Sequence, residues 1–357
     1  MTEPDTAVEP RAATELIGHE AAEREFLDAW NGGRLAHAWL IAGPRGIGKA
    51  TLAYRIARFV LSGGGESSGG LFGGGGPESL ALPADHPIFR KIAGNAYPDL
   101  RVFERGFSKD GKRQRDIPVD TVREIGQFLS LTAADGGWRV VIVDAADDLN
   151  REGANAILKP LEEPTRNALI LLVSHSPDRL LPTIRSRCRR LLLRPLAEDV
   201  VVTLLRRRQP EIDEADARAI ARLAEGSIGR ALSLAESDGL PLYREMIGLI
   251  GGLPRLDVSK LHGFADRVGG DEEKSLTLEA LFLRWLATAA GRRAATSEAV
   301  AGEGALGAKL VAAAGTDRWL DLWDRTVRAF ERGEAVNLDR KQVVLNAFLS
   351  LERAVRS

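Results

Sequence analysis

The chain has 357 residues, 44% of them hydrophobic and 28% charged, with a formal net charge of −1. This is the composition of a folded globular protein with core enough for two or three domains, and it excludes global disorder. One cysteine, Cys188, excludes an intramolecular disulfide and a cysteine-based zinc cluster, and fits a reducing cytoplasm. The near-neutral balance argues against a free-standing nucleic-acid binder, so any such contact must come from a local patch or from partners. His19, His37, His86, His175 and His262 are scattered, and none pairs at metal-ligand spacing. No apolar run approaches the roughly 20 residues that span a bilayer, and the acidic start MTEPDTAVEP lacks the basic region of a signal peptide.

Residues 1–13 read as a loose tail rich in Pro, Glu and Ala. Helical periodicity follows over Glu20–Trp30. Ala38–Ala42 is an apolar strand candidate that runs into a glycine turn and a helix, Lys49–Leu61. The segment 61–80 holds nine glycines, the residue that loses most entropy on ordering, and 62–80 reads as a flexible loop. A strand is expected at Leu100–Phe103, a polar turn at 108–116, and a helix at Val119–Thr132. Val140–Val143 and Ala168–Val173 are continuous apolar runs, as expected of strands buried on both faces. Between them lies a helix over about Asn150–Glu162, stopped by Pro164. Strands alternating with helices predict an α/β domain over 14–196, with a parallel sheet flanked by helices.

Beyond Pro195 the strand signals stop. Helices are expected at Glu198–Arg208, Glu214–Glu225 and Ser227–Glu236, making a small helical domain over 197–240, and 241–357 reads as all-helical. Leu278, Leu281, Trp285 and Leu286 share one helical face, as do Trp319, Trp323 and Phe330, and Val344, Phe348 and Leu351. These are core positions rather than a ligand box. The Gly/Ala-rich stretch 291–316 reads as a linker or a weak helix.

Gly43-Pro44-Arg45-Gly46-Ile47-Gly48-Lys49-Ala50-Thr51 stands between a strand and a helix, the setting a phosphate-binding loop requires. Backbone N–H groups of Gly43, Gly46 and Gly48 would face one concavity, the helix N-terminus adds positive potential, and Lys49 would reach the β- and γ-phosphates. The position after the lysine calls for a Ser or Thr hydroxyl on Mg²⁺. Ala50 has none, and Thr51 lies about 100° further round the helix. Weak or absent binding of ATP or ADP is therefore a live reading. Asp144 ends the strand Val140–Val143 about a hundred residues later, where the Mg²⁺-side carboxylate of such a site belongs. Ala145 occupies the following position, where a water-orienting Glu would stand, and Asp147 and Asp148 on the next turn are poor substitutes. Two independent losses argue against ATP hydrolysis by this chain alone.

Arg185, Arg187, Arg189, Arg190 and Arg194 fall within ten residues that hold no acid. The run reads either as a solvated basic rim or as a turn that presents a guanidinium to a phosphate. Cys188 within it reads as a packing residue.

The chain resembles the AAA+ clamp-loader family. The resemblance is carried by His37-Ala38 before the loop, by Asp144-Ala-Ala-Asp-Asp-Leu-Asn150, by Ala154-Asn-Ala-Ile-Leu-Lys-Pro-Leu-Glu-Glu-Pro164, and by Leu181-Pro-Thr-Ile-Arg-Ser-Arg-Cys188. It covers about 15–235 strongly and the remainder by helical pattern only. It implies a P-loop AAA+ domain, a helical lid over 197–240 and a helical C-terminal oligomerisation collar over 241–357. It further implies that Arg187 acts as a trans arginine finger on a neighbouring subunit, that Ser174 is a phosphate-sensing polar residue, and that Arg230 is a lid arginine facing nucleotide. The implied role is a non-hydrolysing stator in a hetero-oligomeric ring of clamp-loader subunits, which loads a sliding clamp onto primed DNA, with no membrane partner. Many relatives carry a four-cysteine zinc module after the phosphate-loop helix. This chain has no cysteine there, so no zinc is expected. An ATP-hydrolysing motor subunit, or an assembly protein with a vestigial pocket, are the alternatives.

Overall fold

The computed structural model describes residues 9–64, 76–107, 114–131, 133, 137–291, 298–335 and 338–356. Most of the glycine-rich loop, the first eight residues of the expected tail and residues 108–113 of the polar turn lie outside them. The chain divides into two compact units, Met1–Leu196 and Ala197–Ser357.

The first unit holds strands β1 (Ala38–Ala42), β2 (Leu100–Glu104), β3 (Arg139–Asp144), β4 (Ala168–Ser174) and β5 (Arg189–Leu192). Its helices are α1 (Glu20–Asn31), α2 (Lys49–Leu61), α3 (Pro87–Ala93), α4 (Val119–Ser130), α5 (Arg151–Ala156), α6 (Leu158–Glu162) and α7 (Pro182–Arg185). The sheet order is β2-β3-β4-β1-β5, all parallel, with Ala38 opposite Ile170, Leu100 opposite Val140, and Asp144 opposite Val173. Helices cover both faces of β1, β3 and β4, which is why these three strands read as unbroken apolar runs. Trp39, Ile41, Val140 and Ile142 face α1 and α2 through Phe26, Ile56 and Phe59, while Leu40, Val141, Val143 and Leu172 pack with Val122, Ile125, Ile157 and Ile184 on the other side. The fold is the α/β parallel-sheet class that strand–helix alternation predicts.

Four local features differ from the sequence reading or decide between its alternatives. Residues 11–14 are tied down rather than loose: buried Arg58 donates to the Arg11 and Ala13 carbonyls, and Arg55 to that of Thr14. The helix expected over Asn150–Glu162 is two short helices that meet at Ile157, because Pro160 has no N–H to continue the ladder. Arg189 and Arg190 form strand β5 rather than a turn, with only Leu191 of its four residues buried. The segment 291–316 contains a regular helix, Glu303–Ala314, with residues 292–297 outside the described set.

The second unit is helical throughout among its described residues: α8 (Glu198–Arg208), α9 (Glu214–Ala224), α10 (Ile228–Glu236), α11 (Gly239–Ile250), α12 (Val258–Gly269), α13 (Glu272–Ala289), α14 (Glu303–Ala314), α15 (Thr316–Ala335) and α16 (Arg340–Arg356). Residues 197–240 and 241–357, separate domains on the sequence reading, fall in this one unit. Asp213, Ser227, Asp257 and Asp271 cap α9, α10, α12 and α13 by accepting the backbone N–H three residues on. The apolar stripes form the core. Phe348 packs on Phe264 and Phe282, and buried Trp319 stacks edge-on against Trp285 while its Nε1 donates to the Leu286 carbonyl at 3.0 Å. No helix among the described residues is long and apolar enough to cross a membrane.

Candidate functional site

Strand β1 is fully buried and delivers the chain to the loop Gly43–Gly48 at the carboxyl end of the sheet, where α/β sheets place ligands. Each turn of the loop needs glycine. Gly43 has φ +151°, and a Cβ there would meet the Leu193 carbonyl oxygen at 2.4 Å. Gly46 and Gly48 also have positive φ, and Gly48 opens α2 in the left-handed region. The loop is braced from outside: buried His19 places Nε2 2.6 Å from the Ile47 carbonyl oxygen, and the Gly43 N–H donates to the Ser174 carbonyl at 3.2 Å. Lys49 is 3% exposed, and its ammonium donates to the Pro44 carbonyl across the loop. Burial lowers its pKa to about 8, against the opposing pull of Asp144 and Asp147. Ala50 and Thr51 follow on the first turn of α2, both half-buried.

Asp144 ends β3 opposite Glu104 of β2. Burial and that neighbouring carboxylate raise its pKa, while Lys49 pulls it down. Ala145 is 2% exposed, so its side chain neither reaches solvent nor offers an acceptor. Asp147, one turn on, is fully occupied: it accepts the Ser174 hydroxyl at 3.0 Å, the His175 N–H at 2.6 Å and the Ser176 N–H at 2.9 Å. Asp148 pairs with Arg105 at 2.9 Å. Both aspartates are thus engaged in contacts within the fold. Ser174 is buried at the tip of β4 with its hydroxyl committed to Asp147.

The structure thus gathers Lys49, Asp144, Asp147 and Ser174 where β1, β3 and β4 end. It adds His175, which the sequence reading missed. Burial and the Lys49 cation lower the pKa of His175 to about 4, so the ring is neutral at pH 7, and its Nδ1 has no hydrogen-bond partner among the described residues. A lone histidine after a strand carries no sequence signal; only packing beside Lys49 gives it one.

Arg187 is held elsewhere in this unit, just past α7. Its guanidinium pairs with Glu162 at 2.7 Å and donates to the Thr183 carbonyl at 2.9 Å, with a third of the side chain exposed. Glu162 closes α6, and α6 is pinned to the start of β1 by His37, whose Nε2 lies 2.9 Å from the Leu161 carbonyl oxygen. The arginines around it are not a uniform rim. Arg185 pairs with Asp178, and Arg189 lies over the Trp39 ring and reaches Glu25. Cys188 is buried and its thiol is pushed up to about 12, a packing residue rather than a nucleophile. Arg230 belongs to the second unit, on the first turn of α10, where its N–H donates to the Ser227 hydroxyl. No group of three His, Cys, Asp or Glu side chains among the described residues is arranged to hold a metal ion.

Residues 18–197 match the family model described as DNA polymerase III, delta subunit. The chain belongs to the DNA polymerase III delta-prime family of AAA+ clamp-loader proteins. It is 38% identical over 159 residues to DNA polymerase III subunit delta' of Pseudomonas aeruginosa, covering 44% of this chain and 43% of that relative. It is 35% identical over 217 residues to the subunit delta' of Escherichia coli, covering 60% and 59%. The aligned part of the chain thus spans about half the length of these relatives. Among solved structures, a DNA polymerase III gamma subunit-related protein of Thermotoga maritima overlays 93% of this chain and 99% of its own, at 16% identity and a TM-score of 0.42.

Proposed function

We propose that this chain is the delta-prime subunit of a clamp loader, a ring subunit that does not hydrolyse ATP itself and that offers Arg187 to ATP on a neighbouring subunit. The observation that carries the reading is the pairing of a complete phosphate cradle with two missing catalytic groups. Gly43, Gly46, Gly48 and the buried Lys49 fit a phosphate chain, whereas Ala50 gives Mg²⁺ no ligand and buried Ala145 gives water no acceptor. Such a site holds ATP or ADP weakly or not at all. In this reading Ser174, Asp144, Thr51 and Arg230 line the nucleotide rather than act on it, residues 197–240 serve as lid, and 241–357 serve as collar. Partners are the other subunits of the ring and, through them, the sliding clamp and primed DNA.

Arg187 suits the finger role because a guanidinium is always charged and its fork matches phosphate oxygens. Its one carboxylate partner among the described residues, Glu162, is half exposed and holds it at the surface. The test is ATPase activity and clamp loading by the reconstituted complex. Arg187→Ala is expected to leave assembly intact and to lower turnover by about 10³ at the neighbouring site, the scale of such a group. Arg187→Lys is expected to rescue little, because an ammonium lacks the planar fork. Unchanged turnover in the Arg187→Ala complex refutes the finger. Turnover by the purified chain that Lys49→Ala abolishes would instead make it a motor subunit.

A further inference from the structure

The second unit carries a groove of about 390 Å³ between α15 and α16 that the nucleotide-facing reading does not use. Arg325, Arg328 and Arg332 line its wall from α15. Their spacing of three and four residues puts them on one helical face, along roughly 10 Å of axis. Ala329, Leu338 and Val343 supply apolar lining, and Asn346 of α16 adds one amide. Leu338 is 47% exposed, which is unusual for a leucine beside a well-packed helix pair.

Among the described residues the charge there is unbalanced. Arg325 pairs with Asp321 at 2.6 Å, but both side chains are more than half exposed, and such a pair contributes little in water. Arg328 and Arg332 have no carboxylate within ion-pair distance among the described residues. A guanidinium cannot discharge, so the groove presents surplus positive charge above an apolar floor, on a chain whose net charge is −1.

An anion alone would leave Leu338 uncovered, and an aliphatic segment alone would leave the arginines unmatched. A nucleic-acid strand would meet phosphate ligands but no aromatic ring among the described lining residues for its bases to stack on. We propose that the α15–α16 groove binds an acidic peptide segment of a partner protein, with carboxylates on Arg328 and Arg332 and an aliphatic side chain on Leu338 and Val343. Asn346 supplies both a donor and an acceptor for the peptide backbone. The groove lies wholly in the helical unit, so its failure would leave the reading of Arg187 untouched.

The full chain is titrated into fluorescein-labelled Glu-Glu-Leu-Asp-Leu and followed by anisotropy, beside a Gln/Asn version of the peptide and a labelled mixed-sequence single-stranded oligonucleotide. The acidic peptide is expected to bind saturably and the Gln/Asn version at least about tenfold more weakly. Arg328→Glu with Arg332→Glu is expected to abolish binding, and Leu338→Ser to weaken it several-fold. All three positions are exposed, and circular dichroism confirms that each variant folds; Arg328→Gln with Arg332→Gln replaces the charge reversal if it does not. Equal binding of the acidic and neutral peptides, no saturable binding of either, or unaltered binding by the arginine variants overturns the proposal. So does tighter binding of the oligonucleotide that Leu338→Ser leaves unchanged, which would make the groove a phosphate surface.

Discussion

Replacing Lys49 with methionine should stabilise the first unit. Lys49 is 3% exposed, and its pKa falls from an ordinary 10.5 to about 8, chiefly through burial. At about 1.4 kcal/mol per pH unit, holding the charged form in the folded state costs about 3 kcal/mol. Methionine removes the charge at similar length and also removes the hydrogen bond to the Pro44 carbonyl, which offsets about 1 kcal/mol. The net gain is about 2 kcal/mol at pH 7. In a unit of 196 residues that raises the melting temperature by about 4–8 °C. The sign of the pH dependence follows from the direction of the shift. Between about 8 and 10.5 the unfolded chain binds the proton that the folded chain has released, so wild-type stability gains from this group as pH rises through that window. The advantage of Lys49→Met should therefore be full below about pH 8 and shrink towards pH 10. Calorimetric melts of both proteins at pH 7 and pH 10 measure it, and pyrophosphate should raise the melting temperature of the wild type alone. A Lys49→Met protein that melts lower at pH 7, or a gap independent of pH, would show that the ammonium serves the fold and is not held ready for an anion.

Asp147→Ala should destabilise the first unit by about 2–4 kcal/mol, because it strands the His175 and Ser176 N–H groups and the Ser174 hydroxyl together; urea unfolding measures it, and a change below about 0.5 kcal/mol would contradict the assignment. Cys188, buried with its thiol pushed up to about 12, should react with a maleimide at pH 8 about a hundredfold more slowly in the folded than in the urea-unfolded chain.

Four of the five strands were legible: edge strand β2 by its short apolar pattern, and the three inner strands because they are buried on both faces. β1, β3 and β4 read as continuous apolar runs because helices cover each side of the sheet. β5 did not, because it is an edge strand whose first residue, Arg189, is held by distant groups. Arg189 owes its place to the Trp39 ring and to Glu25 on α1, and neither can be read from Arg-Ser-Arg-Cys-Arg-Arg. For α14, in a Gly/Ala-rich stretch that reads as either a linker or a weak helix, distant contacts decide for the helix. Glu298 accepts the Gly302 and Gly304 N–H groups at its start, and Leu310 and Ala314 are buried against neighbouring helices. Pro160 was visible in the sequence, but whether it would bend, split or stop the helix depended on where Ile157 could pack.

For the site, residue types were legible and their commitments were not. Ser174 reads as a free polar group at a strand tip, yet its hydroxyl is spent on Asp147. Asp147 reads as a poor stand-in for a catalytic carboxylate and turns out to tie the tips of β3 and β4 together. The arginine run reads as acid-free because it is acid-free locally, while Glu162, Asp178 and Glu25 reach it from α6, a neighbouring turn and α1. That difference bears on Arg187. A finger with no partner would be a long, mobile side chain whose ordering must be supplied on binding, whereas one held by Glu162 and the Thr183 carbonyl is already placed. On the proposed reading, because Glu162 is half exposed and bears a single charge, a triphosphate on a neighbouring subunit would offer Arg187 more charge at little desolvation cost. On the proposed reading, Glu162→Gln should therefore leave the fold intact and reduce turnover of the complex far less than Arg187→Ala. A loss equal to that of Arg187→Ala would instead make Glu162 part of the machinery that acts on the phosphates.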